Sequence, residues 1–376
     1  MTEVWRKAAH ELASTLAADA AERDLAGRLP VHEVGLLRES GLLPLLDTAG
    51  WAAANEATRV VSAADASVGH LLGYHYLQLW RTGLFGPRAA SEPGWFWAGV
   101  SNPLDAALLM TPVDGGFTVE GTKTFATGAP VADRLVVSAT RTDNGEKLTF
   151  VVDARAGGIT FPGDWDNIGQ RLTASGAVRF EAVRVAHDDV LGAQPEDQSD
   201  PKVPRISLAA IGFQLMLAQV YVGLAFGALD AAAVYTRETA RPWTLSDVDK
   251  ATQDPYTLAG YGELVATARA AGFAVDAAVS ALGEADERGF DLTPAERAEA
   301  AIAISSAKIV ASRVAVETTN KVFEFTGARA TATKYGFDRF WRNARTLTLH
   351  DPVTYKAREV GDHFLNGIPP CLSGYS

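Results

Sequence analysis

At 376 residues the chain exceeds what one compact core usually holds, so two or three domains are expected. Hydrophobic residues at 47% and charged residues at 21% are those of a globular protein, and a net charge of −11 with a pI of about 5.2 excludes nucleic acid or an anionic membrane as the main partner. The single cysteine, Cys371, excludes a disulfide framework or a cysteine-based metal site within one chain. A reducing cytoplasm fits, and the first thirty residues mix charges without the apolar core of a signal segment.

Residues 1–94 read as a helical domain, with apolar residues at three and four spacings and Pro30, Gly41 and Gly50 as punctuation. In "GHLLGYHYLQLW" (69–80), His70 and Tyr74 are four apart and share a helix face. They read either as core residues with satisfied hydrogen bonds or as a pair lining a pocket. His75 falls on another face and is expected to tolerate change better.

Residues 95–193 change character. "GFTVEGTKTF", "DRLVVSAT", "KLTFVVDA" and "GAVRFEAVRV" are short β-branched runs between turn signals, which predicts a compact β domain. Placed on a strand, Phe125 and Thr127 of "GTKTFATGAPVAD" face the same side and present an aromatic and a hydroxyl together. Trp165 stands among Asp164, Asp166 and Asn167. Without a histidine or a calcium-loop pattern this reads as a turn carrying a tryptophan into a pocket or interface, and no metal is expected.

"AQPEDQSDPKVP" (193–204) reads as a linker, and residues 204–376 as a helical bundle whose helices start at Pro255 and Pro294. The uncharged stretch 206–229 is long enough to span a bilayer, but Gln214 and Gln219 interrupt it and no second span exists. It reads as the buried central helix of the bundle, with Gly223 and Gly227 spaced for close packing. No G-x-G-x-x-G and no Walker-type loop occurs. In "RTLTLHDPVTYK" (345–356), Pro352 places Asp351 at a break in the backbone beside His350.

The three-part layout and these motifs resemble the acyl-CoA dehydrogenase superfamily over nearly the whole chain. That resemblance implies an α+β protein with an N-terminal helical domain, a middle β-barrel or sandwich domain and a C-terminal four-helix bundle, assembled as a tetramer of two dimers. "GTKTFATGAPVAD" stands where the family has its flavin-side strand, which selects Phe125 and Thr127, and "SNPLD" (101–105) stands at the preceding flavin-side loop, which selects Asn102. "YTRETARPW" (235–243) resembles the helix end whose arginine reaches the flavin phosphates of a neighbouring subunit, here Arg241, and "FTGARATATKYGFDRFWRNAR" resembles the family's closing region. The catalytic glutamate of the dehydrogenases is absent: the stretch that carries it reads "LTLHDP", and the second family position falls in "GFQLMLA", which has no acid.

"HLLGYHY", "DWDNIGQR" and "WRNARTLTLHDPVTYK" instead resemble the dibenzothiophene monooxygenases built on this fold. The resemblance implies a two-component monooxygenase that uses reduced FMN or FAD and O₂, through a C4a-hydroperoxide, to oxygenate a small aromatic or heteroaromatic substrate. The flavin would be reduced by a separate NAD(P)H:flavin reductase. The departure of "FEFTGAR" from the glycine-rich segment near the adenosine half of FAD tilts the choice toward FMN. His350 is then assigned to the flavin, with Asp351 orienting it or closing the helix. His70 and Tyr74 are assigned to the substrate, Thr127 to the flavin N5 edge, and Trp165 to flavin and substrate. An acyl-CoA dehydrogenase-type oxidoreductase is the alternative.

Overall fold

The computed structural model describes residues 2–376. Four helices come first: α1 (Thr2–Ala26), α2 (Val31–Glu39), α3 (Leu45–Ala64) and α4 (Ala66–Thr82). Asp65 caps α4 by accepting from the backbone N–H groups of Ser67 and Val68 at 3.0 and 3.2 Å. Every residue of α4 is buried, so its polar side chains must find partners inside the protein.

Eight strands follow in one sheet: β1 (Trp97–Val100), β2 (Leu108–Val113), β3 (Gly116–Lys123), β4 (Arg134–Arg141), β5 (Lys147–Asp153), β6 (Ile159–Thr160), β7 (Val178–Ala186) and β8 (Val190–Ala193). The order is β6-β7-β3-β2-β4-β5-β8, and β1 and β2 run parallel to successive stretches of β4. All four predicted runs are strands, but the expectation that Phe125 and Thr127 lie on one is corrected. β3 stops at Lys123, and Phe125 has φ +56°. Asp105 takes the Thr124 N–H at 2.6 Å, Lys123 Nζ donates to the Asn102 carbonyl at 2.8 Å, and the N–H groups of Ala126 and Gly128 donate to Gly176 and Thr173. The chain is thereby bent off the sheet into a loop pinned on both sides.

The C-terminal helices are α5 (Val203–Glu238), α6 (Pro255–Glu287), α7 (Pro294–Thr326), α8 (Asp338–Leu347) and α9 (Val353–Asn366). The starts at Pro255 and Pro294 are as predicted, with a capping box between Thr293 and Glu296. The most apolar window of α5 is 83% buried within the protein, and α6 is also long and apolar enough to cross a bilayer, which corrects the expectation that no second such stretch exists. Gly223 and Gly227 face α3: a Cβ on Gly227 would sit 2.0 Å from the Ala63 carbonyl and one on Gly223 2.5 Å from Ser62 Cβ, so only glycine lets the two helices approach this closely. Residues 193–204 are more than a spacer, because Gln194, Pro195, Gln198 and Val203 line the cavity described next.

Candidate active site

A cavity of about 910 Å³ lies between α4, the β3–β4 loop, the loop before β7, α5 and the α8–α9 turn. His70, Tyr74, Asn102, Phe125, Thr127, Trp165 and His350 all line it, gathered from five separate segments. Asp351 stands directly behind His350. Arg241 is not among the lining residues; it is exposed on the segment after α5.

His70 sits in the middle of α4, 6% exposed. Its Nδ1 meets the Gln170 side-chain oxygen at 3.1 Å, so Nδ1 carries the proton and Nε2 presents its lone pair. Burial pushes the ring down to about 4, which keeps it neutral at physiological pH. Nε2 is buried with no protein partner, and so is the side-chain nitrogen of Gln170. The Tyr74 ring meets His70 edge-on at 6.0 Å between centroids, and burial pushes its phenol up to about 12.

Gln170 was not legible as a site residue, since one glutamine in a polar turn carries no signal. Its place is fixed by α8: Asn343 accepts its backbone N–H, and Arg342 donates to the Ile168 carbonyl at 2.6 Å. Gly169 permits the contact, because a Cβ there would fall 2.1 Å from the Arg342 carbonyl. Trp165 Nε1 donates to the Gln170 carbonyl at 2.8 Å, and its ring faces the exposed Phe125 ring edge-on at 6.2 Å.

Thr127 heads a hydroxyl relay. Thr173 donates to the Gln170 carbonyl at 2.8 Å, which can only accept; Ser175 therefore donates to Thr173 at 2.7 Å, and Thr127 to Ser175 at 2.8 Å. The chain of donors leaves Thr127 Oγ1 as an acceptor toward the cavity. Asn102 bonds Thr124 Oγ1 at 3.2 Å and accepts from the Leu104 N–H at 3.2 Å, so it braces the loop that presents Phe125 and Thr127.

Phe213 links the Tyr74 ring to that of His350, with centroids 5.7 and 4.7 Å away, and His350 Nδ1 donates to Asp351 at 2.9 Å. Pro352 breaks the backbone here as expected, but the Asp351 side chain caps no helix. It is buried, and Lys308 of α7 donates to the same oxygen at 2.5 Å. Burial opposes the carboxylate's ionisation, yet the bonds and charges of His350 and Lys308 prevail and hold it well below the usual range. Burial pulls Lys308 down against the pull of Asp351, and its ammonium also donates to Gln214. Lys308 was invisible in the sequence as a partner, lying on α7, 43 residues from Asp351.

The expectation that His75 tolerates change is corrected. Trp97 N–H donates to its Nδ1 at 3.0 Å and its Nε2 donates to the Leu43 carbonyl at 2.9 Å, so it ties α4 to β1 and to the α2–α3 turn. Replacement by Phe strands two buried backbone groups and is expected to lower stability by roughly 1–3 kcal/mol per group.

The site suits a flat, polar-edged heterocycle such as a flavin. It offers an aromatic pair, an acceptor hydroxyl, and two buried polar atoms (His70 Nε2 and Gln170 Nε2) that only a bound molecule or water could satisfy. Residues 99–183 match the acyl-CoA dehydrogenase middle-domain model and residues 215–355 the acyl-CoA dehydrogenase C-terminal-domain model. The chain is 41% identical to dibenzothiophene monooxygenase of Rhodococcus erythropolis, over 96% of this chain and 93% of the relative. It is 37% identical to a probable FMNH2-dependent monooxygenase, SfnC, of Pseudomonas putida, over 98% and 96%. The crystal structure of TdsC from Paenibacillus sp. A11-2 with FMN and indole superposes with a TM-score of 0.92 at 39% identity, covering 99% of each chain. The chain thus belongs to the acyl-CoA dehydrogenase superfamily, in its branch of reduced-flavin-dependent monooxygenases that contains the dibenzothiophene monooxygenases.

Proposed function

We propose that the cavity takes reduced FMN, delivered by a separate NAD(P)H:flavin reductase, together with a small aromatic or heteroaromatic substrate. The observation that carries this reading is the convergence of His70, Thr127 and His350 on one cavity, where His70 Nε2 is buried without a protein partner. When bound, the reduced flavin supplies two electrons to O₂, so that one oxygen atom reaches the substrate and the other leaves as water.

Thr127 is held as an acceptor by its relay, the complement of the N5–H that reduced flavin carries and oxidised flavin lacks. Phe125 and Trp165 give the ring edges an aromatic border, and Asn102 keeps the Phe125 loop in place. His350, with Nδ1 committed to Asp351, keeps Nε2 for moving a proton at the oxygen being transferred. Neutral His70 accepts a hydrogen bond from the substrate, and Tyr74 closes the wall beside it. Expelling water matters because stray solvent diverts reduced oxygen to peroxide.

The dehydrogenase alternative lacks its base. Asp351, behind the cavity wall, is already committed to His350 and Lys308, and the acidic lining residue among those described, Asp166, is exposed. Oxygen uptake tests the proposal. The pure chain should not consume NADH or NADPH, and uptake should begin only when an NAD(P)H:FMN reductase and FMN are added; rapid NAD(P)H oxidation by the chain alone would contradict it.

A homotetramer is proposed as well. Trp243, Leu245, Tyr256, Leu258 and Phe273, all 57–84% exposed, lie on or just before α6, an apolar surface of the kind that marks an interface. Arg241 is exposed two residues before Trp243, which is compatible with a role on the flavin phosphate of a neighbouring subunit. Arg241→Ala should weaken FMN binding by about 1.5–3 kcal/mol in a fluorescence titration while leaving riboflavin binding unchanged. Thr127→Ala should raise the H₂O₂ released per substrate oxidised, and Thr127→Ser should restore most of the coupling. Equal coupling in all three proteins would remove Thr127 from the flavin edge.

A further inference from the structure

Eleven residues beyond His70, and so about 16 Å along α4, Arg81 lines the far end of the same cavity. It is 8% exposed. Its guanidinium is held by neutral groups: Nη1 donates to Ser101 at 3.0 Å and to Gln78 at 3.4 Å, and Nη2 to Ser138 at 2.9 Å. Two of its five N–H groups are left over, and no carboxylate of the described residues pairs with it. A buried arginine is ordinarily paired, because an uncompensated charge away from water is expensive.

A second cation stands beside it. Lys147, at the start of β5, lines the cavity with no carboxylate partner among the described residues. The Gln194 N–H donates to the Lys147 carbonyl at 2.8 Å, and Arg81 donates to the Ser138 hydroxyl that the Gln194 side chain also reaches, so the two cations share one neighbourhood. Gln194 bonds Ser138 at 3.3 Å and Thr149 at 3.2 Å, and thereby fixes the hydroxyl that holds Arg81. In a protein of net charge −11, two unpaired cations in one cavity wall form a built site for an oxyanion.

We propose that Arg81 and Lys147 bind an acidic group, a carboxylate, sulfinate or sulfonate, on the far end of the aromatic substrate whose reacting atom lies near His70. The proposal rests on the oxygenase reading of the cavity. A flavin phosphate has the same chemistry, but the separation from His70 and the neutral, serine-braced fork place this site at the substrate's end.

The FMN-loaded protein is titrated calorimetrically with indole and with indole-carboxylates and aryl sulfonates of graded length. Wild type should bind at least one anionic probe about tenfold or more tighter than its neutral counterpart. Arg81→Gln and Lys147→Gln should each erase that preference while indole binding persists, and Lys147, exposed at the surface, serves as the variant that folds if Arg81→Gln does not. No preference in wild type, or a preference surviving in the variants, would overturn the proposal. A second arm compares FMN with riboflavin. If Arg81→Gln or Lys147→Gln collapses the preference for FMN, the site holds the flavin phosphate and the substrate assignment falls. Oxygen uptake with reduced FMN is followed separately, so failure of the oxygenase reading registers there and not in the probe titrations.

Discussion

His70→Phe should cut product formation by a factor of about 10²–10⁴, the range for a lost general base or its equivalent hydrogen bond, while oxygen uptake with reduced FMN continues and ends as H₂O₂. The expectation follows from a ring that burial keeps neutral, with Nδ1 fixed on Gln170 and Nε2 unpartnered toward the cavity. His350→Phe should differ in kind, raising H₂O₂ release even with no substrate present, because its place is on the oxygen side. A pH signature accompanies the first variant. A histidine whose folded value is about 4, against about 6.5 when unfolded, binds more protons in the unfolded state between those values. Its contribution is therefore fully present above about pH 6.5 and is lost as pH falls toward 4. His70→Phe should show a shallower acid-side loss of stability, and if both variants lose only melting temperature and keep normal oxygen chemistry, the histidines are core groups.

The second large effect belongs to Lys308. Lys308→Met leaves the buried Asp351 carboxylate without its cation and should destabilise the protein by about 3–5 kcal/mol in chemical denaturation. Lys308→Met with Asp351→Asn removes both charges and should recover much of that loss, since a matched neutral pair avoids the stranded charge. Activity should separate the two roles. The double variant should fold yet turn over more slowly and release more H₂O₂, because His350 has lost the carboxylate that fixes its Nδ1 proton. A double variant as unstable as the single one would mean that the ion pair is not what Asp351 depends on.

Much of the fold was legible because its signals are local. The β-branched runs at 116–123, 134–141, 147–153 and 178–186 form strands, Pro255 and Pro294 open helices, and Pro352 marks the break after Asp351. The uncharged stretch after Ile206 is the buried centre of the bundle. The cavity lining was legible where motifs concentrate, at His70, Thr127, Trp165 and His350. What escaped was set by tertiary contact. The strand carrying Lys123 ends because Asp105 takes the next N–H, which periodicity cannot show. Gln170, Ser175, Lys308 and Arg81 acquire their roles from partners up to 173 residues away or on other elements, and each alone is an ordinary polar residue. Helix phase separated His75 from His70 correctly, yet it could not reveal that both His75 nitrogens are bonded to backbone.

The most direct test of the central claim supplies reduced FMN through a separate reductase under ¹⁸O₂, with indole and indole-carboxylates as probes, and follows label by mass spectrometry. A parallel anaerobic sample of the flavin-loaded protein receives an acyl-CoA. One ¹⁸O atom per product molecule, dependent on His70, together with a flavin that stays oxidised under acyl-CoA, is the predicted result. Unlabelled products, or flavin bleached by the acyl-CoA without oxygen, would contradict it.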